Sequence, residues 1–448
     1  MSTAAIATPA KVVETKTYVA VDPSNNNNKF WKYEILDRMV TEPGKNGKPE
    51  TGDVRVTWGR MGATGETQMI MRDKLASKIK GKLNKKPPEI PYTETQTVGN
   101  FSSNTQAGKA VAKAEVSRIA VKEIGGTCQV TSALVKKLAE ANKHEIIAMS
   151  GGQMDIDLET GIVTTPVGVI TLDALKTART KLDSMAPFVK KNDTDNQTYM
   201  GLISDYLRLV PQKTGFKRGW HTDFIKLDAQ TSLLDQLETS VELANKRMLD
   251  ASKTGTAAPV NAVFNVSMKL VNDSKIWDMM KAKYFDTRSR QHSCSHLKPV
   301  RMFEVAIPHM ASAFERSLGN VKLLWHGTRV FNVLSILKRG FVMPNQLSSL
   351  QTTGAMFGAG LYFSENSTKS LNYSYGYWDG GGRDNTCYMF MVDVAMGKEY
   401  VPSYSGNGRK PGYDSCHAIA GRSGVINDEQ IVYRTSQANI KYLVEFAA

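Results

Sequence analysis

Leu323-Leu324-Trp325-His326-Gly327-Thr328 is the stretch that decides how this chain is read, because three further stretches complete it in order. They are Gly354-Ala-Met-Phe-Gly358-Ala-Gly360-Leu-Tyr362-Phe363, Lys369-Ser370-Leu-Asn372-Tyr373 and Asp428-Glu429-Gln430-Ile-Val-Tyr433. The apolar run Leu323-Leu324-Trp325 predicts a strand that carries His326 and Gly327 to its end. The glycines at 354, 358 and 360 do not form a dinucleotide-binding turn, since that turn follows a strand and opens a helix, whereas strand-like Leu361-Tyr362-Phe363 comes next. Glu429 heads another strand-like run, Gln430-Ile-Val-Tyr433. A lone buried histidine serves packing more often than chemistry, and a lone carboxylate is usually solvated. The ordered set weighs against both readings here.

Taken together, the four stretches resemble the catalytic domain of the poly(ADP-ribose) polymerases, with His326, Tyr362 and Glu429 as its His, Tyr and Glu triad. The resemblance implies NAD as a consumed substrate. Cleaving the bond between ribose and nicotinamide builds oxocarbenium-like charge, so such an enzyme must orient the nicotinamide, hold the ribose hydroxyls and assist the attacking group. By resemblance, His326 bonds a ribose hydroxyl on the adenosine side and the backbone of Gly327 grips the carboxamide. Ser370 bonds the same carboxamide, Tyr373 stacks on the nicotinamide ring and Tyr362 lines the wall. Lys369 assists on the acceptor side, while Glu429 bonds a ribose hydroxyl and polarises the acceptor.

Two departures from the family are visible. Gly340-Phe-Val-Met-Pro344 lacks the arginine often found on the adenine side, and the loop from Tyr400 to Asp428 is shorter than in the large animal polymerases. That loop holds Arg409, Lys410 and Arg422, and it is expected to help choose the acceptor. His292-Ser-Cys294-Ser-His296 has no second cluster to complete tetrahedral metal ligation, so it reads as a surface segment and no metal site is expected.

Upstream, Phe30-Trp-Lys-Tyr33-Glu-Ile35 and Asp53-Val-Arg-Val-Thr-Trp58 have strand period, separated by the turn-rich Glu42 to Pro49. A short strand at Glu66 to Met69 and a basic helix from Asp73 to Lys86, stopped by Pro87-Pro88, are predicted next. Trp58-Gly59-Arg60, with Asn28 to Tyr33 and Gly62-Ala-Thr-Gly65, resembles the WGR domain. That likeness implies binding of broken or nicked DNA, with Trp58 packed on a sugar, Arg60 relaying contacts, and Lys78 and Lys82 among the cations facing phosphates. A packed tryptophan with a salt-bridged arginine is the plainer alternative.

Between the two lies a helical stretch. Leu172, Leu175, Ala178, Leu182 and Met185 fall at steps of three and four, as do Ile203, Leu207 and Val210, and Leu234, Leu237, Val241, Ala244 and Met248. Pro166 and Thr171 signal a helix start. Pro166-Val-Gly168, Tyr206 to Pro211 and Leu233-Leu-Asp235-Gln-Leu-Glu resemble the helical regulatory domain of DNA-dependent family members. In that family it covers the NAD pocket and loosens on DNA, with Asp235 at an acidic position facing the pocket. A generic helical spacer is the alternative.

The expected fold class is therefore multidomain α+β. It comprises a small β-rich WGR domain over 18–94, an all-α regulatory bundle over 111–251 and a mixed α/β ADP-ribosyltransferase domain over 260–448, without zinc fingers. Polar Thr95 to Ala110 and Lys253 to Pro259 read as the linkers. A net charge of +14 over 448 residues suits a polyanionic partner. Four scattered cysteines fit a reducing compartment, and no apolar run of about 18 residues suggests a membrane span. The N-terminus has no signal-peptide core, and nuclear placement in a eukaryote, or cytoplasmic placement otherwise, follows from the resemblance. DNA-break-activated ADP-ribosylation of proteins, including the chain itself and with chain elongation, is the expected function; an accessory protein is a further candidate partner. The rivals are a mono-transferase acting on protein or DNA ends, a bare NAD glycohydrolase, and a non-enzymatic DNA-break binding module.

Overall fold

A computed structural model describes residues 10–44, 47–61, 63, 65–86, 89–94, 124, 128–151, 154–156, 163–165, 168–214, 219–224, 227–252, 264–343, 356–377, 384–406 and 408–448. Both expected linkers, the boundary residues Val111 and Val260, and Gly62, Pro87-Pro88, Pro166-Val167, Pro344 and Gly354 lie outside the described residues. The chain divides into two compact units of mixed α/β structure. One comprises Met1–Ala114, Ile146–Lys226 and Ser240–Ser252; the other comprises Glu115–Glu145, Leu227–Thr239 and Lys253–Ala448.

In the first unit, β1 (Val12–Asp22), β2 (Asn27–Pro43), β3 (Pro49–Arg60), β4 (Glu66–Ile70) and β5 (Thr93–Glu94) form an antiparallel sheet in the order β4-β3-β2-β1-β5. Alternation decides its faces: Val54 and Val56 of β3 are buried, while Arg55 turns outward to bond Glu34 and Glu42. Trp31, Tyr18 and Tyr33 join these valines in a core closed by Leu75 of α1 (Leu75–Leu83). The β2–β3 ladder runs past the expected Ile35, with a register shift between Ile35 and Val40, out to Pro43 opposite Pro49.

Helix α2 (Gln129–Met149) is followed by three short antiparallel strands, β6 (Asp155–Ile156), β7 (Val163–Thr165) and β8 (Gly168–Val169). Helix α3 (Leu172–Lys190) begins where Thr171 accepts the Ala174 amide at 3.2 Å. It buries Leu175, Ala178, Leu182 and Met185, the face its spacing predicts. Helix α4 (Gln197–Leu209) buries Ile203 and Leu207. It is followed by α5 (Trp220–Phe224) and α6 (Leu227–Ser252). Buried Asn28 of β2 donates to the Gln212 carbonyl at 3.0 Å and to Thr214 at 3.1 Å, joining sheet and helices within this unit.

The second unit contains β9 (Ser267–Leu270), α7 (Ser274–Asp286), β10 (Lys298–Ala306), α8 (Pro308–Ala313), β11 (Val321–Gly327), α9 (Val330–Arg339), β12 (Leu361–Phe363) and α10 (Ser367–Tyr375). They are followed by β13 (Thr386–Ala395), β14 (Glu399–Tyr400), β15 (Ser415–Ala418), β16 (Glu429–Val432) and β17 (Ala438–Ala447). Two sheets form, ordered β11-β13-β17-β10-β9 and β12-β16-β15-β14. Strand β13 is buried on both faces, and the first sheet packs Met389, Met391, Val444 and Phe446 with Trp325 and Tyr284. β11 and β12 are edge strands, and their edges meet: Trp325 and Ser364 exchange backbone hydrogen bonds of 3.0 Å in both directions. No described helix is long and apolar enough to cross a membrane.

Thr171→Ala removes the α3 cap and is expected to cost about 1 kcal/mol. The check is hydrogen exchange at the Ala174 amide, which should lose protection; unchanged exchange would mean the cap contributes nothing.

Candidate active site

His326 stands at the end of β11, where its Nδ1 lies 2.9 Å from the Tyr362 carbonyl of β12. A carbonyl oxygen only accepts, so Nδ1 carries the proton. Burial holds the imidazole below its usual pKa, against the raising effect of that hydrogen bond, so the ring is neutral near pH 7 and Nε2 offers a lone pair. Phe341 and Phe363, with ring centres 4.8 and 5.5 Å away, wall the imidazole. The result is a fixed acceptor suited to a hydroxyl.

The next residue shows why glycine is needed there. A Cβ on Gly327 would collide with the Ser370 carbonyl and come within 3.2 Å of Ser374 Oγ, so α10 packs directly on the strand end. Asn366 caps α10 through the Lys369 amide at 2.9 Å. Ser370 donates its hydroxyl to the Trp325 carbonyl at 3.2 Å, which leaves its oxygen free to accept an amide proton. Ser370 and Tyr373 are three residues apart and share a helix face. Burial, then the charge of Glu429, pushes the Tyr373 phenol up to about 12.

Tyr362 uses its hydroxyl on the glycine loop. It donates to the Gly358 carbonyl at 2.8 Å and accepts the Phe357 amide at 2.9 Å, while Tyr433 donates to the Phe357 carbonyl at 3.0 Å. Burial raises the Tyr362 phenol, so it stays protonated as a clamp.

Glu429 opens β16 and is 6% exposed. Lys369 Nζ lies 2.5 Å from its Oε1 and 3.5 Å from the Asp428 carbonyl. Among the described residues, Glu429 Oε2 is buried without a hydrogen-bond partner. Burial lowers the Lys369 pKa while the Glu429 carboxylate opposes that shift. One carboxylate oxygen is thus held by the cation and the other is open to a hydroxyl.

The second unit therefore brings His326, Gly327, Tyr362, Lys369, Ser370, Tyr373 and Glu429 onto adjoining ends of β11, β12, α10 and β16. Asp235, in the Leu227–Thr239 part of α6, meets Arg339 at the end of α9. Arg339 lies 3.5 Å from the Asp235 carboxylate, 3.0 Å from its carbonyl and 2.8 Å from Glu238. Sequence reasoning missed this arginine, which directly precedes the stretch noted for lacking one; its place in the last helical turn was the available signal. His292-Ser-Cys294-Ser-His296 is not simply a surface segment. Cys294 is fully buried and donates to the Thr368 carbonyl at 3.3 Å, and His292 Nδ1 is 2.8 Å from Thr368 Oγ1, so it braces α10.

Trp58, Arg60, Lys78 and Lys82 lie in the first unit. Trp58 is half-buried against the sheet core, and Arg60 bonds the Asn26 carbonyl at 2.7 Å and its side chain at 2.9 Å. Lys78 donates to Gln68 at 2.7 Å, and Lys82 lies 5.1 Å from the centre of the Tyr92 ring.

Residues 277–421 match the poly(ADP-ribose) polymerase catalytic domain. A poly(ADP-ribose) polymerase-like protein of invertebrate iridescent virus 6 is 32% identical over 157 residues, covering 32% of this chain and 81% of the viral one. Human poly(ADP-ribose) polymerase 2 is 22% identical over 475 residues, 94% of this chain and 77% of that protein. The human mono-ADP-ribosyltransferase PARP4 is 26% identical over 293 residues, 63% of this chain. The chain spans 16% of the human PARP4 and 8% of the mouse one. The matched stretch defines the class as proteins carrying a poly(ADP-ribose) polymerase catalytic domain. The chain belongs to the poly(ADP-ribose) polymerase family.

Lys369→Met strands the Glu429 carboxylate without its counter-ion, and a loss of about 3 kcal/mol is expected. Chemical unfolding checks it, with Lys369→Met/Glu429→Gln expected to recover much of the loss; no recovery would mean the lysine acts through packing.

Proposed function

We propose that the chain transfers ADP-ribose from NAD to protein side chains, its own included, and extends the product into chains when broken DNA is bound. The observation that carries the transfer is Glu429 beside Lys369, one oxygen ion-paired and the other open, on the sheet whose edge strand β12 holds the His326 ring through the Tyr362 carbonyl.

In this reading Ser370 Oγ and the Gly327 backbone orient the carboxamide, and Tyr373 packs on the nicotinamide ring. His326 Nε2 accepts a hydroxyl of the adenosine ribose. The bond from the ribose carbon to nicotinamide breaks with its electron pair going to the nicotinamide nitrogen. The acceptor oxygen then bonds that carbon as its proton passes by way of Glu429 to solvent. Glu429 stabilises the charge that builds on the ribose and polarises the attacking hydroxyl, with Lys369 fixing its position.

DNA dependence is supported by the first unit. Lys82 is held below its usual pKa by burial first and then by Lys85 and Lys78, with a smaller contribution from Lys29. Crowded cations of this kind are relieved by phosphates. The loosened element is α6, whose Leu227–Thr239 part is held by Arg339, by Ser232 on Asn332 at 2.9 Å and by Thr239 on Ser335 at 3.3 Å. Relatives named mono-ADP-ribosyltransferase, PARP3 and PARP4, favour single additions as the second reading.

Labelled NAD with and without nicked DNA, on the wild type and Glu429→Gln, tests the proposal. A DNA-stimulated ladder, lost in the variant with at least about a hundredfold fall in transfer, is expected. A single DNA-independent band would favour mono-transfer without gating, and nicotinamide release without modified protein would contradict transfer altogether.

A further inference from the structure

His417 lies in β15 beside Glu429, yet none of the roles above uses it. Its Nδ1 is 3.1 Å from Glu399 Oε2 and its Nε2 is 3.1 Å from Asp428 Oδ2. Carboxylates only accept, so serving both requires a proton on each nitrogen, which only the imidazolium carries. The Gln430 carboxamide stands 3.2 Å from Nε2, and Gln430 Oε1 is buried without a partner among the described residues. Amide oxygen and nitrogen are interchangeable in shape. Turned by half a rotation, the amide presents its oxygen to the ring N–H.

Asp428, the residue before Glu429, is held at every acceptor. Its Oδ1 takes the Ala420 amide at 2.9 Å and its Oδ2 takes His417. Its carbonyl takes Ser364 Oγ at 2.9 Å and Lys369 Nζ at 3.5 Å. Lys369 is the same ammonium that pairs with Glu429, so the setting of Asp428 and that of the ion pair are coupled.

Resting on the transferase reading, we propose that His417 is a positioning residue: as an imidazolium bridging Glu399 and Asp428, it fixes the backbone that presents Glu429. The groups facing it are Glu399 from β14, Asp428 ahead of β16 and Gln430 within β16. Lys322 of β11 stands behind Glu399 at 2.8 Å, with Glu365 at 3.9 Å from the same ammonium. The carboxylates outweigh that lysine. Glu399 raises the His417 pKa most and Asp428 adds to it, against burial, and the bond with His417 does most to bring Glu399 down to about 2. Because the folded pKa is raised, the bridge is complete below about pH 6.5 and is lost as pH climbs through the folded value. Deprotonation leaves one carboxylate facing a lone pair.

The test is kcat and KM for NAD from pH 6 to 10 on the full chain, with His417→Gln and His417→Arg, alongside nitrogen NMR of His417. The wild type should lose kcat along an alkaline limb that tracks His417 titration, with both ring nitrogens protonated at pH 7. His417→Gln should lose about tenfold in kcat at pH 7 with KM within about twofold, and without that limb. His417→Arg, a permanent cation able to reach two carboxylates, should recover to within about threefold and also be flat. If His417→Gln fails to fold, the arginine variant and the NMR decide. A limb that persists unchanged in the variants belongs to another group such as Lys369 and overturns the proposal, as does a neutral His417 at pH 7. Absence of wild-type turnover overturns the transferase reading and this proposal with it, whereas turnover with the limb retained overturns this proposal alone.

Discussion

Two backbone hydrogen bonds between Trp325 and Ser364 join the sheets on which everything else in the second unit depends. Each strand involved is an edge, and an edge exposes unpaired amides and carbonyls that need partners. Meeting at one residue pair satisfies the amide and carbonyl of each of those two residues without fusing the sheets into one. The Trp325 carbonyl also accepts the Ser370 hydroxyl, and the Ser364 hydroxyl donates to the Asp428 carbonyl. One joint thereby sets the spacing of strand end, helix α10 and β16. The fully buried indole of Trp325, packed near Tyr284 and Phe446, anchors that joint in the larger core.

Around this joint the charged and neutral polar groups are separated. His326 is kept neutral by burial among phenylalanines and offers an acceptor. Glu429 is buried in close contact with the Lys369 ammonium, which compensates for the water both lose. The hydroxyls of Tyr362 and Tyr433 are spent on the Phe357–Gly358 loop. A neutral acceptor, an ion-paired carboxylate and a clamped loop suit bond cleavage that builds positive charge on a sugar.

Much of this was legible in the sequence, for specific reasons. Helix α3 announced itself by a cap residue followed by apolar steps of three and four, both local properties of the chain. The strand placement of His326, Tyr362 and Glu429 was legible because each adjoins a short apolar run. The reason for Gly327 was not, since the Ser370 carbonyl that excludes a Cβ lies on another element. Arg339 and His417 escaped because their partners are distant in sequence: Asp235 and Glu238 for one, Glu399 and Asp428 for the other. The basic helix expected from Asp73 to Lys86 is shorter, with a 3₁₀ turn over Arg72–Lys74 and the helix ending at Leu83. Strand β13 gave no readable period because an uninterrupted apolar run fits a buried strand and a buried helix equally well.

The central claim is that the ends of β11, α10 and β16 hold NAD as a substrate. A crystal structure with a non-cleavable NAD analogue tests it most directly. The account predicts the carboxamide between Gly327 and Ser370, the ring against Tyr373, and a ribose hydroxyl within hydrogen-bond distance of Glu429 Oε2. An analogue bound elsewhere, or one bound there with Glu429 still facing only Lys369, would contradict it.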